Sequence, residues 1–446
     1  MARHARTSPA LRPTAPARSS PALLGGARIR EHRLRNGMRV LLAERHEDPV
    51  VAVMLLYRAG GRTESEHEAG VSHFLEHMMF KGSAAFGKGA IDLATTVLGG
   101  SNNAYTTADH TGYWFEFASD RWEKALEIEA DRMRGLTLDP AEFAAEKAVV
   151  LEELAMGEDD PWRRLSTAVG AALFPRHPYG RPVVGYVDTL NRMSVEDMRA
   201  YYERFYHPGN ATLVVCGDVR PASALRLIRQ HFGGIESGVP HDQADCYRAQ
   251  ISEPAGEVRL ETTWDDSVRR LCMDWPTVPV GVDEDYAFDF VSTILTTGRL
   301  SRLYRRLVKG KGGAVSVSTH NDTRVESGAF WLLAECKEGH APTELERAVD
   351  GELARLADEL VSPSELRRAR NILVAADAYE SETVADLADE LGGYAVDADW
   401  RLAVTSVERL SAVRPRAVRD AVRRFLRPER RVLGWSLPHE AGKVRG

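Results

Sequence analysis

What this sequence lacks narrows it quickly. No apolar run approaches the roughly 20 residues of a membrane-spanning helix. No block of Lys or Arg interrupts the folded part and the formal net charge is −7, which argues against a nucleic-acid surface. The only cysteines, Cys216, Cys246, Cys272 and Cys336, lie far apart and form no Cys-x-x-Cys pair. That argues against a disulfide scaffold or a cysteine zinc site and fits a reducing compartment. No Asp or Glu occurs before Glu31, and residues up to about Arg28 are rich in Ala, Pro, Ser and Arg. Residues 1–28 therefore read as a disordered arm. Pro9, Pro13 and Pro16 disfavour the amphipathic helix of a transit peptide, and no apolar stretch suits a secretory signal. The expected location is a bacterial-type cytoplasm. A mitochondrial matrix alternative hangs on the arm alone.

What is present is ordinary for a globular protein, with 43% hydrophobic and 28% charged residues. At 446 residues the chain is too long for one core, so two domains are expected. The weakly patterned, Gly/Pro-punctuated stretch 236–256 reads as a linker between domains over 29–235 and 257–440. Asn36-Gly37 signals a hairpin turn between β-rich runs, and Val50 to Tyr57 reads as a strand. Tyr113 to Phe117 reads as a short aromatic strand, Val195 to Phe205 as an amphipathic helix, and Ala211 to Cys216 as a buried strand.

The chemistry concentrates in Ser72-His73-Phe74-Leu75-Glu76-His77-Met78-Met79-Phe80. Without Gly or Pro and with good core residues, this stretch reads as a helix. His73 and His77 are four apart, so both imidazoles lie on one face and can aim at one metal ion. Glu76 sits near that face, where a carboxylate can take a proton from a metal-activated water. The pattern His-x-x-Glu-His inverts the His-Glu-x-x-His motif of zinc peptidases. Further on, Asp139-Pro140 opens a helix, with Asp as N-cap and Pro at the first position. On it Glu146 and Glu153 share a face about 10 Å apart along the axis. One of them could bind the metal while the other braces a histidine. On spacing alone, a solvated face made of Glu142, Glu146, Glu152 and Glu153 is the simpler reading.

The second half echoes the first. Leu138 to Phe143 matches Val361 to Leu366, each opening a long helix, and Tyr113 to Phe117 matches Phe330 to Ala334. Two copies of one α+β unit are expected. In that register Glu146 falls on Ala369 and Glu153 on Ala376, and the second copy has no His-x-x-Glu-His. Only the first copy can hold a metal.

His73 to Gly82 with Gly60 and Gly70 upstream, Gly99 to Thr106, Glu146 to Glu153, His177-Pro178-Tyr179-Gly180 and Asn210 to Asp218 together resemble the M16 family of zinc peptidases. The resemblance covers nearly everything beyond Arg28. It implies an α+β fold of two homologous sandwich domains, with antiparallel-rich mixed sheets and helices packed on one face, forming half of a clamshell. It implies a zinc endopeptidase acting on unfolded peptides or oligopeptides. Zn2+ would be held by His73, His77 and Glu153, with Glu76 as general base and Glu146 bracing a histidine from behind. Asn103 and Ala104 would lie on an edge strand to which substrate peptide adds. Two positions depart from the family pattern. Where the family's second domain usually carries an Arg and, seven residues on, a Tyr to hold the substrate carbonyl, this chain has Val308 and Val315. Valine donates no hydrogen bond to an oxyanion. The resemblance is therefore to the zinc-bearing subunit of a heterodimer whose related partner lacks zinc ligands but supplies Arg and Tyr. A non-catalytic assembly subunit and a self-sufficient homodimer are the alternatives.

Overall fold

The computed structural model describes residues 22–238, 251, 254, 256–310 and 312–439. Most of the stretch 236–256 read as a linker, and Cys246 within it, lies outside the described residues. The first half builds a seven-stranded sheet from β1 (Ala22–Leu24), β2 (Ala27–Arg33), β3 (Arg39–Glu44), β4 (Val50–Tyr57), β5 (Ser101–Thr106), β6 (Thr111–Ala118) and β7 (Ala211–Gly217). Their order is β1-β2-β3-β7-β4-β6-β5, so β5 is an edge strand. β1 and the start of β2 fall inside the span 1–28 read as a disordered arm. Ala22 to Leu24 pair antiparallel with Ile29 to Ala27, so from Ala22 onward that expectation is corrected. The residues before Ala22 lie outside the described ones. Asn36-Gly37 does turn the β2–β3 hairpin, with Gly37 at φ +88°.

Helices α1 (Val71–Met78), α2 (Ala90–Val97), α3 (Glu123–Gly135), α4 (Pro140–Glu158), α5 (Pro161–Leu173), α6 (Val187–Arg192), α7 (Val195–Phe205) and α8 (Pro221–Phe232) complete the first half. β4 is apolar throughout because both its faces are covered. Val51, Val53, Leu55 and Tyr57 face one core with Phe74, Leu75 and Met78 of α1.

The second half repeats the plan. Strands β8 (Val258–Trp264), β9 (Arg269–Pro276), β10 (Ala314–Asp322), β11 (Ala329–Cys336) and β12 (Val432–Pro438) are ordered β10-β11-β9-β12-β8. This is the order of β5-β6-β4-β7-β3, and in both halves the pair at the far end (β3/β7 and β8/β12) is parallel. Its helices are α9 (Asp283–Thr296), α10 (Pro342–Asp358), α11 (Pro363–Glu380), α12 (Val384–Asp397), α13 (Arg401–Ala412) and α14 (Pro415–Phe425). The matched openings at Asp139-Pro140 and Ser362-Pro363 each start a helix with a side-chain N-cap.

The halves exchange helices, which the repeat alone did not disclose. α5 lays Leu165, Val169 and Leu173 on the second sheet, against Cys272, Ala329 and Val432. Its counterpart α12 lays Val384, Leu387, Leu391 and Ala395 on the first sheet, against Ala52, Met54, Leu56, Val214 and Cys216. Each sheet thus has its own helices on one face and a borrowed helix on the other. At about 1.5–3 kcal/mol per buried Leu or Val, either exchanged helix contributes several kcal/mol to joining the halves. The His177-to-Gly180 loop serves the same seam. Tyr179 donates to Asp109 at 2.9 Å, Arg62 pairs with Asp109 at 2.5 Å and Glu326 at 3.1 Å, and His177 meets Glu326 at 2.8 Å.

Candidate metal centre

The site starts at the mouth of α1. Gly70, its N-cap, sits at φ +96°, and a Cβ there would lie 2.7 Å from the Val184 carbonyl oxygen. Only glycine suits both conditions. The amides of Gly70 and Ser72 donate to the buried Glu64 carboxylate at 2.9 and 2.8 Å, meeting two of the donors a helix start leaves open. Burial pushes the Glu64 carboxyl up to about 7, against the pull of these bonds.

Phe74, Leu75 and Met78 anchor the underside of α1 in the core, so His73, Glu76 and His77 are left half-buried on its other face. The His73 and His77 rings stand 4.8 Å apart. α4 packs alongside α1, with Phe143 on Phe74 at 4.7 Å between ring centres. It delivers Glu153, whose Oε2 lies 3.5 Å from His73 Nε2 and 3.7 Å from His77 Nε2. Ligands about 2.1 Å from a tetrahedral zinc ion are roughly 3.4 Å from one another. The spacing of this His/His/Glu set fits that requirement, and it is the one such group among the described residues. Burial lowers the His73 pKa, with Glu153 opposing, which favours the neutral imidazole that ligates metals.

Glu146 reaches the other side of His77. Its Oε1 accepts from His77 Nδ1 at 2.9 Å and its Oε2 pairs with Lys81 at 2.6 Å. Burial would raise this carboxyl, but the bonds from Lys81 and His77 outweigh it and hold the group below its usual range. The imidazole is thereby fixed with Nε2 free toward Glu153. The seven-residue spacing of the two glutamates, which left a solvated face open, resolves into one carboxylate in front of His77 and one behind.

Glu76 accepts a hydrogen bond from the Thr106 hydroxyl at 2.6 Å. Burial raises its carboxyl, with Thr106 and His77 opposing and Glu153 adding to the rise. A raised carboxyl near the metal set suits a group that takes up and returns a proton. Thr106 ends β5, so the edge strand and the α1 carboxylate are tied together. Asn103 and Ala104 lie earlier on β5. Ala104 shares the Thr106 face and Asn103 the opposite one, and the Asn103 side chain accepts from the Ala104 amide at 2.9 Å. Lys81, Thr106 and Glu64 were not singled out in the sequence. Lys81 had a signal, being four residues after His77, just past the end of α1. The other two are brought in by tertiary packing.

Among the described residues the second half has no equivalent set: Ala369, in the Glu146 register, is buried in its core. Val308 ends the helical turn Tyr304–Val308 and packs partly against that core, while Val315 is 58% exposed at the bulge that begins β10.

Residues 39–186 match the family model described as insulinase (peptidase family M16), and residues 192–373 match the one described as peptidase M16 inactive domain. The chain belongs to the M16 peptidase family. The matched "inactive" model starts at the end of α6 and runs into α11, so it leaves out His73, Glu76, His77, Glu146 and Glu153. M16 relatives include an uncharacterized zinc protease of Mycobacterium leprae, 28% identical over 347 residues and matched across 76% of both chains. Another is the zinc protease PqqE of Helicobacter pylori, 28% identical over 341 residues and matched across 73% of both. The fold is that of a protease from Helicobacter pylori, at a TM-score of 0.87 with 22% identity, covering 92% of this chain and 100% of that one. The periplasmic protease PqqL of Escherichia coli aligns at a TM-score of 0.77 with 19% identity, covering 93% of this chain but 48% of its own. The M16 fold expected from the sequence, α+β with two domains, is therefore the one observed.

Proposed function

We propose that this M16 chain is the metal-bearing subunit of a zinc-dependent endopeptidase that cleaves unfolded peptides. The observation carrying this reading is the convergence of His73, His77 and Glu153 at zinc spacing with Glu76 beside them. Zinc held by these three side chains would polarise the scissile carbonyl and acidify water at the site. Glu76 then takes the proton of the attacking water and passes it to the leaving amine. Glu146 keeps His77 in the required tautomer, and Thr106 keeps Glu76 turned toward the site. The substrate peptide extends the sheet at β5, past Asn103 and Ala104, which gives main-chain recognition with weak sequence preference.

Val308 and Val315 support a need for a partner. Neither donates a hydrogen bond, so the oxyanion would rely on a related chain that brings an Arg and a Tyr. The test is zinc content and cleavage of a peptide library by the purified chain, alone and with such a chain. One zinc per chain, with turnover appearing only in the mixture, is expected. Full turnover by the single chain would remove the partner from the scheme. Zinc binding without cleavage in any mixture would favour the non-catalytic assembly role.

A further inference from the structure

A second site lies in the seam between the halves, apart from the metal centre. A cavity of about 200 Å³ opens between α5 with the loop after it and the sheet of the second half. Its floor carries Asp274 of β9 and Trp331 of β11, directly opposed in the strand register. Asp274 is fully buried, and its carboxyl oxygens accept no well-formed hydrogen bond among the described residues, the Trp275 amide being near but poorly placed. The Trp331 Nε1–H is buried and equally without an acceptor. Such groups are rarely left unmet in a native interior. Burial drives the Asp274 carboxyl well up, and nearby Arg324 and the Trp275 amide only partly offset this.

The repeat shows that the fold does not need this acid. In the first half the tryptophan opposite is Trp114, and the residue it faces is Met54, packed in the apolar layer under α12. The same place under α5 holds Asp274. Both copies leave a cavity under the exchanged helix, about 270 Å³ over Met54 and Trp114 and about 200 Å³ over Asp274 and Trp331, but only the second sets an acid in its floor.

The lining selects the occupant. Left to itself this buried acid stays protonated; a cation brought into the cavity would ionise it and pair with it, which water does not do. A bare cation would face the Arg324 guanidinium, which also lines the cavity while paired with Asp322 at 3.0 Å. The Trp331 N–H calls for an acceptor. As directly opposed cross-strand neighbours, about 5 Å apart at Cβ, the two side chains rise from one place in the floor, where one small solute can meet both. At about 30 Å³ per water the space holds on the order of six waters, enough for a small solute. Half-buried Thr167, Pro182 and Val183 form its rim. We infer that this cavity binds a free α-amino acid, its ammonium on Asp274 and its carboxylate on the Trp331 N–H beside Arg324.

The test is calorimetric titration of the full chain with L-alanine and L-serine after chelator treatment, so that the metal centre cannot be the seat. Methylamine and acetate are the half-ligand controls. Saturable binding is expected for the amino acids, weakened at least tenfold in Asp274→Asn and in Trp331→Phe, with both controls much weaker. Near-UV circular dichroism checks the folding of each variant, and Trp331→Phe decides if Asp274→Asn does not fold. No saturable binding would mean that the cavity holds only water and would overturn the inference. So would unchanged affinity in the folded variants, or methylamine binding as well as alanine. Because the readout is binding to metal-free chain, this result and the peptidase reading stand or fall separately.

Discussion

At the scale of single residues, the proposed chemistry separates groups that hold the metal from the group that moves a proton. Glu76 makes no contact needed to hold His73 or His77, and Thr106 is its hydrogen-bond partner. Glu76→Gln should therefore keep one zinc per chain by atomic absorption while cleavage with the partner falls by about 10²–10⁴-fold. Glu146 does the opposite job. Glu146→Gln replaces the charge that bonds both His77 and Lys81. Competition against a chelator should show zinc held about 10–100-fold more weakly. If Glu76→Gln loses the metal and Glu146→Gln does not, the two roles have been assigned the wrong way round. His73, His77 and Glu76 were legible because one helical turn carries them all. Glu153 and Glu146 were legible only as a pair on one helix face, and the choice between them came from the family resemblance. Thr106 and Glu64 left no local mark, since their partners lie on other elements.

At the scale of elements, strands and helices with a strong period were readable to within a residue or two, as Tyr113 to Phe117 lies inside the strand Thr111–Ala118. Val50–Tyr57 and Val195–Phe205 have the bounds that their apolar patterns suggest. β1 was not readable, because Ala22-Leu23-Leu24 has too few residues to show alternation and becomes a strand by pairing with β2. Two predictions belong here. Gly70→Ala sets a side chain at φ +96° and 2.7 Å from the Val184 oxygen. It should cost more than ~1 kcal/mol in chemical denaturation, and it should lower zinc occupancy because α1 must shift. The second concerns acid. Arg302 binds Glu365 through two hydrogen bonds at 2.9 and 3.1 Å, tying the turn before Val308 to the start of α11. Chiefly through Arg302, the Glu365 carboxyl is held down at about 2, below its ordinary 4.5. The folded chain thus keeps this charge where the unfolded chain takes up a proton. The contribution is full above pH 4.5 and fades as pH falls toward 2. Unfolding followed across that window should show a shallower acid dependence for Glu365→Gln than for the unaltered chain.

At the scale of the whole molecule, the duplication was legible in the sequence and the helix exchange was not. An amphipathic pattern tells that α5 and α12 bury a face, but not which sheet receives it. The consequence is measurable. A fragment ending near residue 238 would leave Ala52, Met54, Leu56, Val214 and Cys216 uncovered. It should aggregate or bind a hydrophobic dye. The intact chain should melt in a single transition by calorimetry, because each half finishes the other's core. Two well-separated transitions, or a soluble monomeric first-half fragment, would contradict this.

The exchange also sets an order of events on the ribosome. The amino-terminal sheet is synthesised first, yet the segment that roofs one of its faces ends at Asp397. For most of translation that face has nothing of its own chain to lie against. The nascent protein must wait for nearly its whole length before the metal-bearing half is closed, and a chaperone is the natural occupant of that interval.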